Sequence, residues 1–562
     1  MPIDVSEGSL ELAIELLEAV TPTKSSYPFP SLRRSGRTEP RTFRTITLRN
    51  PFLEATVVPD LGGRIIRLVD LRIGRDVWPQ ETVLPIQDAG QRGVECPAGL
   101  QIQTDHGSRL NDLGPMAFAL DFDPESESAN GVWLSEICGN GLSLHIRYSM
   151  PEDRTELEVE CRIFNRTLEY VPYDGGLQVP GATFDRLGSS WVAQDGATLL
   201  VSSVNAALNY ADSSSLHRFG GRNYLAPRQL DTWKATLTPY RIEKPLALSD
   251  GFIVGWSDSR LEVEVAESLL GGKIVIQTDA DQTLEMPTDL YPEKPLSIDL
   301  TGLPNKIQKL AILDSRGVAK LMAPFEPVHA PQSPDTRAQA PLNVLELSGA
   351  ELHAATFDVA KRHWAFLGLA YQKLATADYG EGSYYLEQSL LFNAEDHLAW
   401  LLKGISERLG GNQDTERAEL LNAHFLAPLE PALRAESLLA NPPQSREKSP
   451  LLNSMEETPE VFVEVACLLL EASLYGEAIT WLHEALLHSE LPMLRYLLTF
   501  ALLRSTQLDV QASDQLQLAT SPEPIPPYPW RPIERIALEE LSARFPTDSS
   551  VRRMFEISKT TR

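Results

Sequence analysis

The chain has only four cysteines in 562 residues, Cys96, Cys138, Cys161 and Cys467, and no two of them form a CxxC pair. Their scatter lacks the dense, even pattern of a disulfide-stapled secreted domain, so reduced thiols are expected. No apolar run approaches the roughly 20 residues that cross a bilayer, and no charged-then-apolar signal segment opens the sequence. The expectation is a cytoplasmic protein without a membrane partner. Basic charge is scarce too: 50 Lys and Arg face 77 Asp and Glu, a net charge of -27. That surface repels a phosphate backbone and argues against nucleic acid as a partner. Phosphate loops of the GxxxxGK[ST] type, a GxGxxG after a strand, a GxSxG elbow and the kinase motifs are all missing, so nucleotide chemistry is excluded and no cofactor is expected.

Metal motifs are scarce in the same way. His353, His363, His397, His424, His483 and His488 lie in the second half without an HExxH or comparable pairing, and QTDADQ, with Asp279 and Asp281, lacks the regular spacing of a calcium loop. Packing or surface roles are expected for them. The triplet Asn165-Arg166-Thr167 is a formal glycosylation sequon that means little without secretion.

What the chain has is two hydrophobic periods, and enough length for two or three domains. From about residue 40 to 320 apolar residues alternate with polar ones. In LSLHIRYSM, Leu142, Leu144, Ile146, Tyr148 and Met150 share a face, and in TELEVECRIF, Leu157, Val159, Cys161 and Ile163 do. The two runs read as a hairpin, with Arg147 meeting a facing glutamate and His145 on a solvated polar face. RTITLRN, LEATVV, RLEVEVAE and GKIVIQT alternate likewise, the last two read as joined across Gly271-Gly272. Many short strands between Gly, Pro, Asn and Asp predict a large antiparallel β-sandwich.

Residues 323–345 are rich in Pro and Ala and read as a linker. Beyond them, Trp364, Leu367, Gly368 and Tyr371 match the W-x2-L-G-x2-Y signature of a tetratricopeptide repeat, Trp400 and Gly404 restate two of its positions, and Ala478, Leu482 and Ala485 follow a small-large-small helix-contact spacing. The expected architecture is therefore multidomain β plus α: a helix and extended arm at 1–40, a β-supersandwich at 41–322, the linker, and a helical-repeat solenoid at 346–562, with an irregular helical bundle as the plainer alternative.

VVPDLGGRIIRLVD, followed by Gly74-Arg75 and by GVE at 93–95, resembles galactose mutarotase-like supersandwich domains, and with the helical repeats the chain looks like a bacterial family of unassigned function that joins the two. In aldose epimerases of that fold a glutamate and histidines exchange protons with a sugar at its anomeric carbon. The resemblance implies a carbohydrate ligand. It makes His106 similar to the family's first histidine and Glu285, in TLEMPTD, similar to its glutamate, with Glu95 as an accessory carboxylate. Arg64 would donate to sugar oxygens, although a buried pair with Glu95 explains both residues equally well. Asp105, Asp174, Gln178, Arg222 and Trp233 complete the candidate lining, with Trp233 a stacking platform or a core residue.

Two departures weigh against turnover: YDGGLQVPGATF has no second histidine, and Met286 stands where the family usually has glutamine. Three functions follow from these readings: a carbohydrate-active enzyme (epimerase or glycosidase), a non-catalytic carbohydrate binder, or a scaffold whose helical repeats engage a protein partner.

Overall fold

The computed structural model describes residues 3–20, 31–88, 94–103, 114–122, 128–138, 141–173, 175–179, 181–187, 190–194, 197–204, 208, 210–211, 215–217, 223–242, 245–249, 251–257, 260–278, 282–301, 307–324, 343–440, 452, 455–456, 458–505, 509–519 and 531–559. Mostly antiparallel sheets occupy the N-terminal part, and twelve α-helices among the described residues follow from Gly349 onward. No described helix is long and apolar enough to cross a membrane.

The expected hairpin forms the centre of an eight-stranded sheet, ordered Ala117–Phe122, Ala129–Ile137, Leu142–Ser149, Leu157–Asn165, Leu230–Pro239, Leu199–Val204, Ser190–Gln194 and Thr183–Leu187. Leu144 pairs with Ile163 and Tyr148 with Val159, so both apolar sets point into one core, which also takes Ile46, Leu68, Leu177 and Leu216 from smaller sheets. Arg147 lies opposite Glu160 but bonds Asp121 instead, because Glu160 is held by Arg162 and Lys234.

Three expectations are corrected. The helix expected within residues 1–40 is the 17-residue strand Asp4–Val20, paired along its length with Ser31–Arg49. Leu10, Leu12 and Ile14 alternate as a strand does, and the pairing overrides helix-forming composition. Arg260–Val265 and Leu269–Thr278 are not a hairpin; they belong to two different four-stranded sheets that enclose a separate core of Phe252, Val263, Ile274 and Ile312. Gly271, at φ +63°, lies within a strand at a register shift. The stretch expected as one sandwich thus carries two large hydrophobic cores and two smaller clusters among the described residues.

The third correction is His145. Its strand face is polar but not wet, and the residue is only 8% exposed because the helical half covers that face. Its ring stands 6.2 Å from His397, beside Phe164, which packs on His397 at 4.4 Å. Burial, with His397 and two arginines nearby, lowers its pKa to about 3, so His145 is neutral.

Around it runs a buried charged seam. Arg166 grips Glu430 through both terminal nitrogens, Nη2 to Oε1 at 3.1 Å, while His397 Nε2 lies 3.2 Å from the same carboxylate. Burial alone would favour the neutral acid, but Arg166 and His397 outweigh it and hold Glu430 well below the usual carboxylate range. Arg228 donates to the Tyr371 hydroxyl at 2.7 Å, and Asn393 to the Arg228 carbonyl at 2.7 Å. Asn165 of the sequon is fully buried and donates to the carbonyls of Glu169, Leu225 and Ala226, a position closed to a glycan.

In the helical half the signature residues behave as their spacing predicts. Trp364, Leu367 and Tyr371 are buried on Arg362–Leu374, and a Cβ on Gly368 would come within 2.7 Å of Leu352 and Val344. Gly404 meets Leu420 in the same manner at 2.9 Å, and Ala478, Leu482 and Ala485 are fully buried. Glycine and alanine at these points let successive helices close on one another.

Candidate functional site

The candidate site is the polar face of a small sheet ordered Tyr210–Ala211, Ser215–His217, Gly176–Gln178 and Gln101–Gln103. Each of the last three strands is a polar-apolar-polar triplet with Gly176 in one polar position, and alternation decides which way each residue points. Ile102, Leu177 and Leu216 lie in register and enter the first core. Gln101, Gln103, Gln178, Ser215 and His217 therefore share the opposite face.

Register brings them together in two rows. Gly176 stands between Gln103 and His217, and Gln178 between Gln101 and Ser215. Gln103 Nε2 donates to Gln178 Oε1 at 2.9 Å across the diagonal. A Cβ at Gly176 would lie 2.3 Å from the Leu216 carbonyl oxygen, so glycine is required there for the two strands to approach. Gln101, Ser215 and His217 are buried, whereas Gln103 and Gln178 are half-buried at the rim.

Arg64 supports this face from behind rather than facing a ligand. It is fully buried, with Nε donating to the Leu61 carbonyl at 2.7 Å and Nη1 to the carbonyls of Ala98, at 2.7 Å, and Cys96. That clamp fixes the 96–98 segment, which leads through Gly99, at φ +69° with Ile65 O 2.7 Å from where a Cβ would be, into Gln101–Gln103. Trp233 is 1% exposed in the first core, its indole N–H beside Gly175 and without a hydrogen-bond partner among the described residues.

Of the residues singled out from sequence, Gln178 is on the face, and Arg64 and Trp233 lie in the walls behind it. Asp105, His106, Asp174 and Arg222 lie outside the described residues. Glu95 is placed by its backbone, in Val94–Glu95 opposite Gln87. Glu285 is not brought to this face: it belongs to the second core's sheet, with its side chain 55% exposed and Oε2 2.9 Å from Lys273 Nζ. Gln101, Gln103, Ser215 and His217 were not singled out. Their triplets, QIQ and SLH, are too short to carry a periodic signal.

Residues 22–173 match a family described as a domain of unknown function, DUF5107. Among solved structures the chain is similar to a TPR-domain containing protein from Parabacteroides distasonis ATCC 8503, at 12% identity over 96% of this chain and 95% of that one, with a TM-score of 0.31. It is also similar to a 4-alpha-glucanotransferase from Thermococcus litoralis, at 12% identity over 35% of this chain and 38% of that one, TM-score 0.24. A galactose mutarotase-like protein from Clostridium acetobutylicum matches at 10% identity over 36% of this chain and 96% of that one, TM-score 0.25.

Proposed function

We propose that the N-terminal β part recognises a neutral carbohydrate on the polar face of Gln101, Gln103, Gln178, Ser215 and His217. The observation that supports this most is the chemistry of that set. Three carboxamides, a hydroxyl and an imidazole each both donate and accept hydrogen bonds, as sugar hydroxyls do. They do so without the desolvation cost of a charge.

Recognition is proposed ahead of turnover. Acid–base chemistry at an anomeric carbon needs two titrating groups within hydrogen-bond reach of one sugar, and Glu285 is committed to Lys273 at the surface of another core. In the same proposal the helical half engages a protein partner, using exposed apolar side chains such as Phe357 and Phe425.

Titration calorimetry with glucose, galactose, maltose and cellobiose, set against glucuronate, tests the reading. Saturable binding of a neutral sugar, weakened about tenfold or more in Gln103→Ala and Gln178→Ala, is the expected result, since each removes a directed hydrogen bond in a partly dry site. Failure of all four sugars to bind would overturn it, and accelerated anomer interconversion by polarimetry would establish the enzyme instead.

A further inference from the structure

One guanidinium in the helical half gathers carboxylates from three neighbouring helices. Arg408, near the end of His397–Leu409, donates through Nε and Nη2 to the two oxygens of Glu436 on Pro431–Ala440, at 2.5 and 3.1 Å. Its Nη2 also reaches Glu477, on Tyr475–His488, at 3.0 Å, and Glu416, on Gln413–Leu426, lies 3.8 Å from Nε. Pro431–Ala440 touches each of the other three helices, so Glu436 stands at the centre of the group. The Glu436 side chain is 1% exposed, and the other three are no more than 18% exposed.

The charge in this cluster does not balance. Three ionised carboxylates around one guanidinium leave two negative charges in excess, and no second cation among the described residues pairs with any of them. Lys403, on the helix of Arg408, is held by Glu419 at 3.0 Å, and Glu407 is turned to Ser383 and Asn412. Arg417, on the helix of Glu416, is exposed; Arg434, on the helix of Glu436, lines a cleft against Met116 and Phe118. His488, at the far end of the helix of Glu477, is held by Glu456. When like charges share a buried site, one of them keeps its proton above the usual carboxylate range. Burial raises Glu436 most, Arg408 opposes it, and Glu477 and Glu416 add to the rise, leaving it at about 7. Because the three acids are coupled, that proton belongs to the cluster rather than to one residue.

We propose that this cluster is a proton-linked joint in the helical half: with one proton shared among Glu416, Glu436 and Glu477 it clamps four helices together, and loss of that proton as pH rises through neutrality loosens Pro431–Ala440 against Tyr475–His488. The sign follows from linkage. A carboxyl that holds its proton more tightly in the folded than in the unfolded chain stabilises the fold fully below the ordinary value of 4.5, and that contribution is lost as pH rises through about 7.

Hydrogen–deuterium exchange of the full chain, corrected for the chemical exchange rate and read by mass spectrometry near pH 6 and near pH 8.5, tests the joint. Between the two conditions protection over 431–440 and 475–488 is expected to fall about threefold or more beyond any fall over the strand Leu142–Ser149. Glu436→Gln, which is neutral but still accepts from Arg408, should abolish that extra loss, and its Tm relative to the parent should rise from the lower pH to the higher. Glu477→Gln, at the most exposed of the four positions, removes one of the excess charges in the same way and serves if the first variant does not fold. Equal protection of these helices at both pH values in the parent, or a loss as large in the folded variant as in the parent, would overturn the proposal.

Discussion

Arg64 offers the sharpest test of how the candidate site is held. Its guanidinium has no exposure and satisfies three backbone carbonyls, those of Leu61, Cys96 and Ala98. Truncation in Arg64→Ala leaves these buried acceptors unpaired at about 1–3 kcal/mol each, for a total of roughly 3–6 kcal/mol once partial entry of water is allowed. For a cooperative unit of roughly 200 residues, about 2–4 °C per kcal/mol converts this to a Tm lowered by roughly 6–24 °C. Arg64→Lys keeps the charge but not the fork, so it should recover only part of the loss. Calorimetric melting of the three proteins measures this. A Tm for Arg64→Ala within a degree or two of the parent refutes the clamp. Loss of sugar binding in that variant at unchanged Tm would return Arg64 to the role of a direct sugar ligand.

Gly176→Ala forces a Cβ to within 2.3 Å of the Leu216 carbonyl, so the pairing with Ser215–His217 must open; a lowered Tm and lost sugar binding should appear together. Arg166→Ala leaves Glu430 buried beside His397 without its main counter-charge, which should destabilise the protein by about 3–5 kcal/mol in denaturant unfolding. His145 is lowered from 6.5 to about 3 in the fold, so the unfolded chain binds the extra proton between those values. Its stabilising effect is fully present above pH 6.5 and fades as pH falls toward 3, by an amount on the order of a few kcal/mol. His145→Gln should flatten that part of a stability-against-pH curve.

Much of the architecture was legible because alternation reports which residues share a face. Leu142 to Met150 and Leu157 to Ile163 were correctly set against one core. Alternation does not report whether the other face is wet, and His145 was misread because a helical layer covers it. Nor does it report which strand pairs with which: Arg260–Val265 and Leu269–Thr278 are neighbours in the chain yet belong to different sheets. Leu10 to Val20 has the composition of a helix, and only the distant Ser31–Arg49 makes it a strand.

Gly368 and Gly404 were readable for a different reason, since close helix contact leaves a glycine at a fixed place in each repeat. The polar face was the least legible feature. QIQ, GLQ and SLH are three residues each, and only sheet register gathers Gln103, Gln178 and His217.

The central claim is that this face holds a neutral sugar, and saturation-transfer NMR on the full chain tests it most directly. With the saccharide that binds the parent protein, transfer to the sugar protons should be strong and should vanish in a Gln103→Ala/Gln178→Ala double variant. Equal transfer in the double variant and the parent, with the fold intact, would contradict the account.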